Sequence, residues 1–257
     1  MSYDDHVHDA LPVNPPYTGL VAEAYDVWMP PGADDSDVAL YRDAIEREGG
    51  PALELGCGNG RLLIGYARAG LDVEGVDQSV DMLTICAAHA RDSGVDLTLH
   101  CADWLSLVLG RTYATLYNPA ASFSLIASDD DALAGLKTWR EHLRPGGQLL
   151  VSMGEPTEDL DAHYDWRVRR SATRARDGVT FMVHEAFRFD TDAQMQLVLH
   201  RHELWSADGE LMTTFVRRHR LRWWTRAQLE GLLRTTGYVD VRSFGGEDGF
   251  IAVGRST

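Results

Sequence analysis

A glycine-rich turn, GCGNG at residues 56–60, directly follows the short apolar segment ALEL at residues 52–55. Glycine lets a backbone turn through positive φ and lets a ligand approach without meeting a Cβ atom. A strand, such a turn and a helix together form the place where an open α/β sheet binds a nucleotide-like ligand. Similar turns occur in dehydrogenases and kinases, so the turn alone does not decide between ligands.

Strands and helices alternate around this turn. ALEL predicts a strand and RLLIGYARA a helix, and LDVEGVD with VDMLTICAAHARD repeats that order. DLTLHCAD and ATLYNP predict two more strands, DALAGLKTWREHL a helix and QLLVSM a fifth strand. Near the end, TRAQLEGLLRTTG predicts a helix, and YVDVRSF with FIAVGR predicts a closing hairpin. Strands alternating with helices predict an α/β fold with a Rossmann-like, doubly wound sheet.

The first fifty residues have a different pattern. Apolar side chains recur at helical spacing between Leu20 and Trp28, which predicts an amphipathic helix. A second helix is predicted over residues 34–48, with aspartates in its opening turn and Gly49-Gly50 stopping it. We interpret residues 1–50 as an N-terminal helical lid.

A third pattern follows the fifth strand. VTFMVHEAFRFD, AQMQLVLHRHELW and LMTTFVRRHRLRWW are long β-type runs, beside which lie Asp177-Gly178 and Asp208-Gly209, dipeptides typical of hairpin turns. They predict an antiparallel β meander over 161–224. The meander would interrupt an α/β core made of 51–160 and 225–257.

Composition excludes partners better than it names one. The chain of 257 residues carries a formal charge of −15, which repels phosphate backbones and anionic lipid. No apolar run approaches the roughly 18 residues needed to cross a bilayer, and the acidic first residues are unlike a secretory signal. The chain has three cysteines and no CxxC pair, which argues against a disulfide framework or a structural zinc site. We therefore expect a cytoplasmic protein with neither a nucleic-acid nor a membrane partner.

Acidic residues end the next two predicted strands. Asp77 lies about 20 residues after the first glycine, where a carboxylate accepts hydrogen bonds from ribose hydroxyls. Asp103 ends the third strand, where an adenine amino group needs an acceptor, and Trp104 could cover the purine face. The glycines are spaced GxGxG rather than the GxGxxG of dinucleotide sites, which disfavours NAD.

In order, these segments resemble the class I S-adenosylmethionine-dependent methyltransferases over about residues 50–155. The matching pieces are ELGCGNG, VEGVDQSVDML, CADW and a strand ending YNP before a helix and RPGG. YTGLVAEAYD, the meander and WTRAQLEGLLRTTGY are similar to the small-molecule branch that includes amino-sugar and glycine-type N-methyltransferases. The resemblance implies a seven-stranded sheet of the methyltransferase type and S-adenosyl-L-methionine as cofactor. It also implies transfer of a methyl group to a nitrogen, oxygen or carbon of a small organic acceptor, with the meander covering the acceptor site.

The resemblance further implies which residues meet the cofactor. The three glycines would lie along its methionine portion, Asp77 would hold the ribose, and Tyr117 and Asn118 would flank the sulfonium. Tyr17 and Tyr25 would fold over it from the lid. The complete cofactor set implied is Tyr17, Glu54, Gly56, Gly58, Gly60, Asp77, Gln78, Met82, Asp103, Trp104, Tyr117 and Asn118.

Methyl transfer from a sulfonium is an in-line displacement, so an enzyme mainly aligns the reactants and needs a base only if the acceptor must lose a proton. Glu185 shares one face of a predicted strand with Phe181, Val183, Phe187 and Phe189, and an apolar face raises a carboxyl pKa enough for a base. The alternative is that Glu185 pairs with a meander arginine. Tyr25 and Glu185 are the candidate catalytic residues. Candidate acceptor contacts are Tyr25, Trp28, Glu155, Tyr164, His184 and His200.

Two motifs have other interpretations. His200 and His202 share a strand face at a spacing that could bind a metal, but without a third ligand we predict no metal site. NPPY at residues 14–17 spells a motif of enzymes that methylate DNA adenine or protein glutamine. That motif functions at the end of a sheet strand, where this chain has NPAA, so we interpret the match as chance.

Amino-sugar methyltransferases carry a histidine after the fourth strand, and AASFSLIAS has none.

Other functions stay open from the sequence alone. The acceptor atom could be an electron-rich ring carbon such as that of indole. A nicotinamide-dependent oxidoreductase or a non-catalytic cofactor binder would keep the same turn and carboxylates. A homodimer is a general expectation for such enzymes.

Overall fold

The computed structural model describes residues 11–33, 37–156, 160, 163–246 and 249–257. The first part of the predicted helix 34–48 lies partly outside these ranges. Its helices are α1 Leu20–Trp28, α2 Val38–Glu48, α3 Leu63–Arg68, α4 Val80–Asp92, α5 Asp129–Glu141 and α6 Arg226–Thr235. Its strands are β1 Ala52–Leu55, β2 Val73–Asp77, β3 Thr98–Cys101, β4 Tyr113–Asn118, β5 Leu143–Gly154, β6 His163–Thr173, β7 Thr180–Asp190, β8 Met195–Trp205, β9 Leu211–Arg222, β10 Val239–Gly245 and β11 Gly249–Arg255.

Seven strands form the central sheet in the order β10-β11-β5-β4-β1-β2-β3. The pairs β1–β2, β1–β4, β2–β3 and β4–β5 are parallel, whereas β11 is antiparallel to both β5 and β10. The predicted α/β, doubly wound fold with a closing hairpin is therefore confirmed. Strand order reverses between β1 and β4, and ligands of open α/β sheets bind outside the carboxyl ends of strands at such a reversal.

Helices cover both faces of the middle of this sheet, where β1 and β4 are buried at every residue. One layer packs the ring of Phe123 against those of Trp139 and Trp224, whose centres lie 5.8 Å and 5.9 Å from its own. The opposite layer packs Tyr41 and Tyr66 against Tyr117. These two cores fix the carboxyl ends of β1 and β4 in place.

The helix that follows β2 begins where a cap is available. The Ser79 hydroxyl accepts the backbone N–H of Met82, as an N-cap residue does. Helix α6 begins with a full capping box, in which Thr225 and Gln228 exchange hydrogen bonds. Both starts agree with the helices expected from the sequence.

The second sheet is an antiparallel meander in the order β6-β7-β8-β9. Gly178 and Gly209, with φ of 72° and 83°, form the β6–β7 and β8–β9 turns at the two Asp-Gly dipeptides. Strand β6 was not identified individually from the sequence. Within the described ranges, no helix has both the length and the apolar composition to cross a bilayer.

Register aligns a row of charged side chains across the meander. Arg167 of β6 pairs with Glu185 of β7, Glu185 with His200 of β8, and His200 with Arg217 of β9. Directly opposed residues share one face of a sheet, so all four side chains lie on the same face. This face also carries the apolar residues Phe181, Val183 and Phe187, and it is the buried one.

Candidate active site

A cavity of about 510 Å³ lies between the central sheet and the meander. Its core end is formed by the loops after β1, β2 and β3 and by α4, and its other end by the buried meander face. The N-terminal segment and the loops after β4 and β5 complete the wall. The lining residues used below are Asn14, Tyr17, Tyr25, Gly56, Gly58, Asp77, Gln78, Met82, Trp104, Ala120, Ala121, Glu155, Arg169, His200, His219 and Arg222.

The core end is shaped by the glycine turn and by Asp77. Gly56 and Gly58 adopt φ of 80° and 55°, which favours glycine at both positions. The Asp77 carboxylate accepts the backbone N–H of Gly58 at 3.0 Å and that of Ser79 at 2.8 Å. Burial raises the pKa of Asp77, against these two hydrogen bonds, which favour the ionised form. The turn and the carboxylate are thus one preorganised unit.

Apolar side chains complete this end. The ring of Trp104 lies over Gly56, where a Cβ on the glycine would come within 2.8 Å of it. The Met82 methyl group lies 3.1 Å from the place of a Cβ on Gly58. An indole and a thioether beside a carboxylate suit a ligand with a flat ring and hydroxyl groups. Gln78 lines the cavity next to Asp77.

Five residues of the implied cofactor set lie outside the lining, and Asp103 and Gly60 are two of them. Asp103 is exposed, and its side chain accepts the backbone N–H of Leu105 at 2.9 Å, so it caps the short 3-10 helix Trp104–Ser106. Gly60 faces inward, where a Cβ would meet the Cys86 sulfur at 2.7 Å. Gly60 therefore allows the turn to pack on α4, and its contact with a cofactor stays a prediction.

Tyr117 and Asn118, expected from the resemblance to flank the sulfonium, do not line the cavity. The Tyr117 hydroxyl donates to Glu54 at 3.0 Å, and the Asn118 amide donates to the Leu55 carbonyl at 2.8 Å. All of these groups are buried, and none lines the cavity. Glu54, placed in the cofactor set from the sequence, has its pKa raised by burial to about 8. It is a core carboxyl that ties β1 to β4.

Two tyrosines close the cavity from the N-terminal side. Tyr17 and Tyr25 both line it, and their rings meet edge to face with 5.5 Å between centres. Burial, with Tyr17 nearby, raises the pKa of Tyr25 to about 12. Tyr25 therefore keeps its proton near neutral pH and can act there only as a hydrogen-bond donor or acceptor.

At the meander end, the expectation for Glu185 is wrong in one respect. Glu185 is buried on the apolar face as predicted, but Arg167 reaches it at 3.0 Å and Arg169 at 2.7 Å. Burial alone would raise its pKa, but His200 and the two arginines outweigh burial and lower it to about 2. A carboxylate held ionised in this way is a poor base, so the alternative of an arginine pair is the one observed.

The other candidate acceptor contacts separate into two groups. Glu155 and His200 line the cavity, and His200 Nε2 lies 3.6 Å from Glu185. His184 lies on the opposite face of β7, 3.6 Å from Glu203. Trp28 stacks on His202 away from the lining. The side chain of Tyr164 lies outside the described part of the chain.

Some lining residues were not found from the sequence. His219 is buried on the cavity wall, its ring centre 5.0 Å from that of His200. Burial, with His200 nearby, lowers the pKa of His219 to about 3, so this imidazole stays neutral. Ala120 and Ala121 line the cavity with left-handed φ of 55° and 53°, uncommon for residues other than glycine. Strand parity could have identified His219, whereas no sequence signal marks the two alanines.

Comparison with known proteins agrees with this geometry. Residues 52–147, which hold the glycine turn and Asp77, match the family profile described as a methyltransferase domain. Residues 52–147 are thus similar to a methyltransferase domain. This match supports S-adenosyl-L-methionine, the cofactor implied by the class resemblance, as the methyl donor. A hydride-transferring oxidoreductase, the alternative from the sequence, has no support from these matches.

Named relatives share more than the domain. The dTDP-3-amino-3,4,6-trideoxy-alpha-D-glucopyranose N,N-dimethyltransferase of Streptomyces venezuelae is 31% identical over 148 residues, 58% of this chain and 59% of that one. The dTDP-3-amino-3,6-dideoxy-alpha-D-glucopyranose N,N-dimethyltransferase of Streptomyces fradiae is 26% identical over 226 residues, 86% and 84% of the two chains. The first alignment thus spans less than two thirds of that relative.

Solved structures show the same fold over nearly the whole chain. The structure of DesVI from Streptomyces venezuelae covers 94% of this chain and 100% of its own, with a TM-score of 0.72 and 23% identity. The sugar N-methyltransferase KedS8 from Streptoalloteichus covers 97% and 99%, with a TM-score of 0.74 and 19% identity. At these identities the likeness concerns the fold.

The cavity's core end fits S-adenosylmethionine. Asp77 offers a buried carboxylate to the ribose, and two glycines with positive φ leave room for the amino-acid portion. Trp104 and Met82 supply apolar surface for adenine.

Proposed function

We propose that this methyltransferase transfers a methyl group from S-adenosylmethionine to an amine nitrogen of a small organic acceptor, an amino sugar being the first candidate. The observation that carries the proposal is one continuous cavity from Asp77 and the glycine turn to the histidines of the meander. The names of the two relatives supply the acceptor class, since both describe amino-sugar N,N-dimethyltransferases.

In this proposal the chain's residues mainly position the reactants. When bound, the sulfonium supplies an activated methyl group and departs as a thioether. Asp77 would hold the ribose, and the glycine turn would let the amino-acid portion approach the backbone. The acceptor nitrogen would form its bond to the methyl carbon in line with the departing thioether. Alignment of this kind can lower a barrier by roughly 7–11 kcal/mol.

An amine that arrives protonated must lose a proton before it attacks. Two imidazoles line the cavity, those of His200 and His219. Glu185 lies 3.6 Å from His200, while His219 would remain a neutral hydrogen-bond acceptor. We assign proton acceptance to His200 and acceptor orientation to His219, in place of the base role first expected for Glu185.

The wider organisation is part of the same proposal. Residues 161–224 would cover the acceptor, residues 1–50 would act as a lid, and 51–160 with 225–257 would hold the cofactor. Two arginines that line the cavity are paired with carboxylates, Arg169 with Glu185 at 2.7 Å and Arg222 with Asp129 at 2.6 Å. A homodimer, a cytoplasmic location and the absence of a nucleic-acid partner stay predictions.

The test is methyl transfer from S-adenosylmethionine labelled in its methyl group. Acceptors are dTDP-3-amino-3,4,6-trideoxy-α-D-glucopyranose and a panel of free amines, phenols and indoles, with products identified by mass spectrometry. We expect a labelled N-methyl product from at least one amine. Label found only on oxygen or carbon would contradict the assignment to nitrogen, and binding of S-adenosylhomocysteine without transfer to any acceptor would favour a non-catalytic binder.

A further inference from the structure

The NPPY segment at residues 14–17, which the sequence left as a chance match, spans the cavity wall between the two sheets. Asn14 imitates a strand partner of β9. Its side-chain oxygen accepts the backbone N–H of Arg220 at 3.0 Å, and its amide donates to the Arg220 carbonyl at 2.9 Å. Val13 forms a bridge with Arg218 beside it. The segment is thus attached to the meander through hydrogen bonds to the backbone of β9.

Arg217 makes a second attachment from the buried face of β9. Its Nη2 donates to the carbonyl oxygens of Pro15 and Pro16, the latter at 3.1 Å, and its guanidinium carbon lies 4.8 Å from the ring centre of Tyr17. The side chain is only 7% exposed. Burial lowers the pKa of Arg217, against the effect of Tyr17. Charged donors in such places form strong hydrogen bonds.

The other end of the segment is held by the cofactor-binding core. The Ser79 hydroxyl donates to the Tyr17 carbonyl, and the Asp81 carboxylate accepts the backbone N–H of Gly19 at 2.6 Å. Ser79 is also the residue whose N–H binds Asp77. Tyr17 therefore lies between an anchor on the meander and the carboxylate unit of the cofactor end.

We propose that Arg217 is a positioning residue for cofactor binding, acting through the NPPY segment to hold Tyr17 against the cofactor end of the cavity. Arg217 does not line the cavity itself, so its effect passes through the segment. The inference rests on the proposed function only in taking this cavity end as the site of S-adenosylmethionine. If Tyr17 is held in place for a smaller fraction of the time, the apparent affinity for the cofactor falls in proportion to that fraction.

The test compares variants by calorimetry with S-adenosylhomocysteine. Arg217→Met keeps the length of the side chain but loses the donors and the charge, and we expect its Kd to rise about tenfold. Arg217→Lys keeps the charge with fewer donors and should recover part of the affinity. Arg220→Met is the matched control, because that arginine is exposed on the opposite face of β9 and meets Asn14 only through its backbone. Its Kd should stay within about twofold of the wild type.

A double-mutant cycle separates positioning from general damage. If Arg217 acts through Tyr17, Tyr17→Ala combined with Arg217→Met should bind about as weakly as Tyr17→Ala alone, because neighbouring groups in one pathway are not additive. Fully additive losses, or an unchanged Kd in Arg217→Met, would overturn the proposal. Asp77→Asn in the same series reports separately on the site: if Asp77→Asn also binds normally, the placement of the cofactor is at fault, and the inference falls with it.

Discussion

Substitution of Asp77 by asparagine is the sharpest test of the cofactor site. The carboxylate ends β2, lines the cavity and already accepts two backbone N–H groups, so each oxygen has one lone pair left for a ribose hydroxyl. A hydrogen bond to a charged group contributes about 1.5–3 kcal/mol. Asparagine loses the charge and turns its NH₂ group toward Gly58 or Ser79. The amide NH₂ cannot accept a hydrogen bond from a ribose hydroxyl, so one bond to the ribose is lost, and the other weakens with the loss of charge. We therefore expect the binding free energy to weaken by about 3 kcal/mol, which is a Kd roughly 100-fold higher.

The measurement is calorimetric titration with S-adenosylhomocysteine, together with thermal unfolding of the unliganded protein. Asp72→Asn is the matched control, since Asp72 lies at the opposite end of the same strand in an exposed pair with Arg111 at 2.5 Å. Surface pairs of this kind contribute about 0–1 kcal/mol, so Asp72→Asn should not change the cofactor Kd. An Asp77→Asn protein that folds and binds within threefold of the wild type would refute the argument.

Three further substitutions test other parts of the structure. Gly56→Ala should destabilise the fold by about 1–3 kcal/mol in urea unfolding and weaken S-adenosylhomocysteine binding, because φ of 80° disfavours a Cβ that would also meet Trp104 at 2.8 Å. Glu54, with its pKa raised to about 8, favours folding fully below about pH 4.5 and loses that contribution as pH rises through 8. Between pH 5 and pH 8, the thermal stability of Glu54→Gln should therefore fall less than that of the wild type. An equal fall in both proteins would argue against the raised pKa. Glu185, with its pKa lowered to about 2, contributes stability above about pH 4.5 that disappears as pH falls toward 2. Glu185→Gln should flatten this acid limb of the unfolding curve, with exposed Glu141→Gln as the unchanged control.

Much of the fold could be predicted from the sequence because its signals are local. Alternating apolar strands and amphipathic helices predict a doubly wound sheet, and the Asp-Gly dipeptides lie at two of the meander's turns. The glycine turn and Asp77 also lie next to each other, since carboxyl ends of parallel strands meet at one edge. Strand β6 was harder to identify because it is arginine-rich and partly exposed, unlike the apolar runs after it.

Side-chain direction is what the sequence could not supply. Strand β4 is buried on both faces, so its apolar pattern does not show that Tyr117 points toward Glu54 and away from the cavity. Glu185 was placed correctly on the apolar face, but its arginine partners come from β6, a neighbour in the sheet whose register only the fold defines. In both cases a long-range pairing decides the chemistry of a residue that local pattern located well.

The NPPY segment does not occupy the position in which this motif takes part in methyl transfer, but it still contributes to the site. Asparagine and proline suit an irregular segment that crosses the edge of a sheet. Proline has no N–H that needs a partner, and the side chain of asparagine can replace the hydrogen bonds of a strand. The crossing places Tyr17 at the cofactor end while Arg217 stands next to His200 in the meander row. A ligand that moves His200 of β8 therefore acts beside β9, the strand that anchors the NPPY segment. On this structure, affinity for cofactor and for acceptor should be coupled through β9 rather than set independently at the two ends of the cavity.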